Sequence, residues 1–311
     1  MTSASLPVAP TPTRSAVWLR ALRLYSVTAS VVPVLFGIVL GWRARDGLGA
    51  MLAFPALLGG VLIHLGTNLI NDVGDHEKGV DHPGALGGSG VLVEGILSSK
   101  EVARAAYVCF GLAALIGLGL FAARGLPMFV LGLTGILGGW AYTAGPRYKY
   151  LGLGDPFVFV LMGPLMVLGG YLAVSGELHK APLLASIPIG LLVTAILHAN
   201  NIRDLEADQA SGLRTLAIAL GRKASLGYFR ALIYGAYLSV VLLAALRVLP
   251  WTSILVVLTI PLAHKVSAAL AAAESIEARR KAPLVEGTAQ LHLAFGLALI
   301  VGTSIGLALF G

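Results

Sequence analysis

The sequence predicts an all-α, polytopic membrane bundle of about nine transmembrane helices. Three observations predict it. Of the 311 residues, 57% are hydrophobic and only 12% are charged, whereas an ordinary soluble domain is roughly 25% charged. The mean hydropathy is +0.86. The apolar residues fall into runs long enough to cross about 30 Å of hydrocarbon as helices, and none shows the period-2 alternation that a closed β-barrel requires over ~10-residue strands. This balance excludes a soluble globular enzyme, a disordered chain and an ordinary nucleic-acid-binding domain. The implied surroundings are a lipid bilayer and no nucleic acid.

Taken in order, residues 1–24 are polar and proline-bearing and carry Arg14, Arg20 and Arg23. They read as a cytoplasmic tail without a removed signal peptide. Residues 25–311 read as a single membrane-embedded unit. Its apolar runs cover 25–42, 51–71, 102–123, 126–143, 156–175, 183–202, 224–246, 249–270 and 288–309. The 39 glycines suit such a unit, because small residues let helices approach closely in lipid. The single cysteine, Cys109, lies in an apolar stretch and excludes an intrachain disulfide or a thiolate zinc cluster.

Cationic residues collect on the cytoplasmic side of a membrane protein. With the N-terminus inside, only Arg43, Arg45, Arg124, Lys180 and Arg247 fall outside, leaving 17 of the 22 Lys and Arg inside. Nine spans then put the C-terminus outside. Of the 15 acids, only Asp46 and Glu177 fall outside. The positive-inside bias does not explain this second asymmetry.

The acids concentrate at two helix ends. If the second helix continues through its motif, Asn68, Asn71, Asp72 and Asp75 sit at i, i+3, i+4 and i+7 and form one polar stripe. Asn201, Asp204 and Asp208 sit at i, i+3 and i+7, each displaced by 133 residues from its counterpart among Asn68, Asn71 and Asp75. This repetition suggests an internally duplicated bundle with facing sites. Carboxylates grouped at membrane depth repel one another and are costly unless a cation joins them. Oxygen ligands without His or Cys suit Mg²⁺, which commonly bridges to substrate phosphates. Lys78 lies near the first cluster, and Arg203 and Arg214 near the second; acids, Mg²⁺ and such cations together can clamp a diphosphate. Singly, such a basic residue is more often a positive-inside residue than a ligand. Arg147 and Lys149 follow in Tyr142-Thr-Ala-Gly-Pro-Arg-Tyr-Lys149. The Tyr142 ring could stabilise a carbocation through its negative face, or simply anchor at the membrane interface.

These motifs resemble those of the UbiA family of intramembrane aromatic prenyltransferases, over about residues 20–302. Asn71-Asp72-Val-Gly-Asp75 is similar to the first family motif, although Gly79 stands at the third acid's spacing and Asp81 comes two residues later. Tyr142, Thr143, Pro146 and Lys149 match the middle motif, and Asp204 and Asp208 the last, followed by Gly212, Arg214 and Thr215. Asn200-Asn201-Ile-Arg203-Asp204 and Gly152-Leu-Gly154-Asp155 resemble the menaquinone branch, the dihydroxynaphthoate polyprenyltransferases and their vitamin K relatives. The resemblance implies a helical bundle around a central cavity in a bacterial inner membrane. It implies Mg²⁺, as two ions bridging the diphosphate, held by Asn71, Asp72, Asp75, Asp204 and Asp208. Asp75, Asp204, Asp208, Tyr142 and Lys149 would be catalytic. Asn68, Asn71, Asn201, Arg203, Lys78, Arg214 and Arg23 would bind a polyprenyl diphosphate and an aromatic acceptor. The acceptor expected is 1,4-dihydroxy-2-naphthoate, with 4-hydroxybenzoate as the rival.

His64 and His198, in apolar runs before the motif asparagines, read as hydrogen-bonded interior residues. The Gly-rich run from Gly84 to Gly95 lacks a Gly-Lys-Ser/Thr ending and reads as a flexible loop, not a nucleotide cradle. Glu274, Glu277, Arg279, Arg280 and Lys281 read as a solvated helix end. A secondary transporter would also suit internal duplication, but the acids lie at helix ends on one side, which favours the enzyme. A non-catalytic assembly protein would have no need of two acidic clusters.

Overall fold

The computed structural model describes residues 13–81 and 87–310. The first twelve residues of the expected tail lie outside the described residues. Arg14–Ala21 forms a short helix, α1, with Thr13 as its N-cap. Then follow α2 (Thr28–Gly41), α3 (Gly49–Glu77), α4 (Ser99–Arg124), α5 (Leu126–Ala141) and α6 (Gly154–Ser175). The second half comprises α7 (Lys180–Arg203), the short α8 (Leu205–Ala210), α9 (Leu216–Ala245), α10 (Trp251–Ala272), α11 (Ile276–Lys281) and α12 (Leu284–Phe310). Among the described residues there is no strand, only one isolated bridge between Leu151 and Arg214.

Every one of the nine apolar runs is helical. Among the described residues, seven helices are long and apolar enough to cross a membrane, and the bent Arg14–Ser26 plus Thr28–Ala44 pair makes up to eight. The remaining run, 126–143, forms α5, which has 16 residues. At 1.5 Å per residue it spans about 24 Å, less than a full hydrocarbon core.

Helix ends follow local chemistry. Ser98 and Glu101 form a reciprocal capping box that starts α4. Thr215 caps α9 and Ser275 caps α11 through their hydroxyls. α3 runs through its acidic motif without a break, so Asn68, Asn71, Asp72 and Asp75 do share one helix. α7 ends at Arg203, and Asp204 leaves helical geometry at φ −96°, ψ 7° before α8 begins. The second stripe is therefore broken, and its acids are not on one straight helix.

The main core joins α2, α7, α9 and α12 through Phe36, Leu192, Phe229 and Phe295, all nearly inaccessible. A second core joins α1, α3 and α4 with the segment after residue 86, through Ala21, Leu69, Val91 and Phe110. The outward faces expose Leu115, Leu118, Val130, Leu238 and Leu258, as a lipid-facing surface requires. At the end remote from the acidic motifs, Arg124 grips Asp46 through two bonds of 2.6 and 2.8 Å.

α2 and α6 meet backbone to backbone. A Cβ on Gly37 would overlap the carbonyl of Val167, and one on Gly170 the carbonyl of Val34. A Gly37→Leu variant should therefore lose thermal stability in detergent, by about 1–3 kcal/mol for overpacking. Gly111→Leu, where a Cβ meets nothing within 4 Å, should melt like the parent chain. Equal melting of both variants would show that this contact is not tight.

Candidate active site

A cavity of ≈ 410 Å³ opens among α2 to α7, with α12 touching it through Val285. Its long wall is apolar and rich in small residues, including Gly59, Ala113, Gly117, Met128, Gly135, Leu161 and Gly169. One end is polar, and there Arg23, Ser26, His64, Asn68, Asn71, Tyr142, Lys149 and Asn200 line the wall.

The buried carboxylates stand directly behind this polar end. Lys149 Nζ donates to Asn71 Oδ1 at 3.0 Å and to Asp75 Oδ2 at 2.5 Å. Tyr150 Oη donates to Asp75 Oδ1 at 2.9 Å. Arg23 pairs with Asp72 Oδ1, while the amide and hydroxyl of Ser89 donate to Asp72 Oδ2. Arg203 donates twice to Asp204, at 2.8 and 2.7 Å, and Asn200 donates to Asp204 Oδ2 at 3.2 Å. Both oxygens of Asp72 are thus engaged by protein.

The middle segment is folded to bring Lys149 here. The amide of Lys149 donates to the carbonyl of Tyr142 at 3.0 Å and closes the loop. Thr143 Oγ1 ties that loop to Ile70 of α3 at 3.1 Å. Tyr148 meets Tyr142 edge-on and stacks on Phe157, with centroid separations of 5.3 and 4.4 Å. Lys149 Nζ lies 5.7 Å from the Tyr142 ring centroid. Burial, then the Asp75 carboxylate, pushes the Tyr150 hydroxyl above its ordinary range, so it remains neutral.

The two acidic segments converge. Asp208 is held protonated more tightly than an ordinary carboxyl, pushed up to about 7 by burial and then by Asp204, with Asp75 adding to the rise and Lys149 opposing it. Asp81 is also raised, first by burial and then by Asp75. Among the described residues, neither carboxylate accepts a hydrogen bond. A Cβ on Gly87 would touch both Asp81 and Asp204, which places the late acid of the first motif beside the second segment. Five buried acids, Asp72, Asp75, Asp81, Asp204 and Asp208, therefore face three cations, Arg23, Lys149 and Arg203. An all-oxygen donor set with uncompensated charge suits a hard dication such as Mg²⁺. Among the described residues, no three acids, His or Cys already stand close enough to hold one. Lys149 and Arg203 occupy the acids instead.

Other expected site residues lie elsewhere. Asn201 turns away from the cavity and donates to Asp155 Oδ1 at 3.2 Å, because the backbone break after Arg203 separates it from the face of Asp208. Lys78 is exposed at the end of α3, 4.4 Å from the Tyr150 ring centroid. Arg214 is exposed and contributes a backbone bridge to Leu151. Neither lines the cavity. Asn68 does, and donates to Ser26 Oγ at 3.0 Å. His64 meets Ser30 at 3.1 Å and His198 meets Asp155 at 2.8 Å, both as interior residues. The described part of the Gly-rich run is docked, with Ser89 on Asp72 and Glu94 paired to Arg20. Asn200 and Asp155 entered the sequence reading only within the branch motifs, without a site role. Tyr150 and Ser89 were not singled out: Tyr150 adjoins Lys149, which is a weak signal, and Ser89 carried none beyond its neighbours.

Fold and site together define an α-helical integral membrane protein with an acidic cluster at the polar end of an apolar cavity. The profile of the UbiA prenyltransferase family matches residues 30–294, and the chain belongs to that family. It is 33% identical over 287 residues to the 1,4-dihydroxy-2-naphthoate octaprenyltransferase of Bacillus subtilis, covering 91% of this chain and 90% of that one. It is 32% identical over 292 residues to the UbiA prenyltransferase domain-containing protein 1 of Gallus gallus, covering 93% and 85%. Among solved structures, a UbiA homologue from Archaeoglobus fulgidus bound to DMAPP and Mg²⁺ superposes with a TM-score of 0.64 at 19% identity, covering 91% of this chain and 99% of that one. An apo homologue from Aeropyrum pernix gives 0.66 at 17%, covering 90% and 98%. Both share the fold.

Asp208 carries a pH prediction. Its folded-state value of about 7 exceeds its ordinary 3.8, so between those values the folded chain binds the extra proton. Its stabilising contribution is complete below pH 4 and is lost as the pH rises through 7. With EDTA present, Asp208→Asn should raise the melting temperature at pH 8 and leave it nearly unchanged at pH 4. A melting curve with the parent's pH dependence in that window would contradict the assignment.

Proposed function

We propose that this prenyltransferase is Mg²⁺-dependent and transfers a polyprenyl group from its diphosphate to 1,4-dihydroxy-2-naphthoate, in menaquinone synthesis. The observation that carries the metal and diphosphate assignment is the excess of buried carboxylates over cations at the polar end of an apolar cavity. The Bacillus relative and the motif resemblance support the acceptor. The cavity end bearing the acids faces the cytoplasm in this reading, which the 17-to-5 distribution of Lys and Arg supports.

Asp75 and Asp81 from one segment, and Asp204 and Asp208 from the other, would hold the ions, with Asn71 alongside. Bound Mg²⁺ supplies positive charge to the diphosphate oxygens as the allylic C–O bond breaks. Lys149 can exchange its bond to Asp75 for a charge-assisted bond to the diphosphate, and Arg203 can do the same from Asp204. The Tyr142 ring, on the cavity wall, stabilises positive charge on the allylic carbon through its face. The apolar wall excludes water that would otherwise capture that carbon. The acceptor carbon bearing the carboxylate then bonds to the prenyl carbon. The bond to the carboxylate breaks, CO₂ leaves, and its electron pair returns to the ring.

EDTA should stop prenyl transfer by the purified protein, and added Mg²⁺ should restore it. Asp208→Asn should lower turnover by about 100-fold, as loss of a metal-site group does. Lys149→Ala should raise KM for the diphosphate or lower kcat, by about 1.5–3 kcal/mol in kcat/KM. Full activity of folded Asp208→Asn protein would refute the metal site. The acceptor is tested separately by offering equal dihydroxynaphthoate and 4-hydroxybenzoate with one labelled prenyl diphosphate. Mass spectrometry should find the naphthoate product, decarboxylated. Preferential labelling of 4-hydroxybenzoate would overturn the acceptor and leave the metal site standing.

A further inference from the structure

The charge run between α10 and α12 does not behave as one solvated helix end. Lys281 and Glu277 do lie outside, paired at 2.6 Å with side chains 77% and 76% exposed. Arg279, on the same α11, is 1% exposed and is among the largest fully buried side chains in the chain. A buried guanidinium is costly unless its donors are met. Two of the three Arg279 nitrogens are met: Nη2 donates to the Glu206 carboxylate and Nη1 to the Glu274 carbonyl at 2.8 Å, while Nε has no partner among the described residues.

Glu206 lies in α8, between Asp204 and Asp208. α8 has six residues and follows the backbone break at Asp204, and a helix that short has little stability of its own. Among the described residues, Glu206–Arg279 is the only side-chain ion pair or hydrogen bond from α8 to another element. The connection carrying Arg279 is itself anchored, because Arg222 of α9 donates to the Ala273 carbonyl at 2.9 Å. On the other side of the break, Asp155 holds Asn201. The break at Asp204 is thus flanked by two held residues, Asn201 and Glu206, whose partners do not line the cavity.

We propose that Arg279 is a positioning residue. Through Glu206 it sets where α8 presents Asp208 to the acids of α3. The proposal rests on the reading of the two acidic segments as one Mg²⁺-diphosphate site. Arg279 touches neither substrate nor cavity, and its effect passes wholly through the placement of α8.

The test compares Arg279→Ala, Glu206→Gln, the double variant, Arg279→Lys and the control Lys281→Ala in the purified full-length protein. Hydrogen–deuterium exchange without metal reads the placement of α8, and prenyl transfer against Mg²⁺ and diphosphate concentration reads its consequence. Arg279→Ala and Glu206→Gln should raise exchange across 205–213 and leave 71–77 unchanged. Half-saturating Mg²⁺ should rise ~10-fold, the lower end of what partners behind a metal site contribute, with KM rising more than kcat falls. The double variant should be no worse than the poorer single, as members of one pair behave. Arg279→Lys should recover part of the loss, and Lys281→Ala should match the parent. Parental exchange across 205–213 in both single variants would overturn the proposal, as would raised exchange spread over the whole bundle. Glu206→Gln keeps the fold testable if Arg279→Ala does not fold. A parent chain without prenyl transfer would refute the reading of the site, while the exchange comparison would still decide whether Arg279 holds α8.

Discussion

Five carboxylates share one end of an apolar bundle with three cations, and much of the site follows from that imbalance. Asp72, Asp75 and Asp204 are each matched, by Arg23, Lys149 and Arg203. Among the described residues, Asp81 and Asp208 are buried without such a partner, and their proton affinities rise, first through burial. Burial of unpaired charge is expensive, so an arrangement of this kind persists where a cation completes it. The same cations that stabilise the ion-free state keep the acids from closing on one another. They can turn from carboxylate to phosphate with little loss, because both are oxyanions.

The surrounding fold is arranged to make that cluster possible. Lipid on the outer faces forces every backbone group into helices, so polar chemistry is confined to helix ends and to the cavity they enclose. α3 carries its acids on an unbroken helix, whereas α7 stops and hands its acids to α8. The loop from Tyr142 to Lys149 crosses between them, pinned by Thr143 to α3 and by its own amide bond. A continuous helix gives one row of acids at fixed spacing. The α7–α8 segment supplies the second set of acids, and two segments can approach a shared ligand from two directions.

Much of this was legible in the sequence, for physical reasons. Nine apolar runs became nine helices because hydrocarbon tolerates few other conformations. Asn68, Asn71 and Asp75 were placed correctly because a helical spacing of three and four is a property of the chain alone. Asn201 was not, since the spacing argument assumes a helix that the backbone abandons at Asp204. Lys78 and Arg214 stand near the acids in sequence but outside the cavity, because proximity along a chain does not fix the direction of a side chain at a helix end. Arg279 was hidden for the opposite reason. Its neighbours Glu277 and Lys281 are solvated, and nothing local shows that a guanidinium two residues from each finds Glu206, 73 residues distant.

The most direct measurement of the central idea is a crystal structure of the protein soaked with Mn²⁺ and a non-hydrolysable prenyl thiodiphosphate, with anomalous data collected for manganese. The expected result is anomalous density between the end of α3 and the α7–α8 break, ligated by acids from both segments, with Lys149 moved from Asp75 onto the diphosphate. Manganese bound by only one segment, or a diphosphate seated away from both, would contradict it.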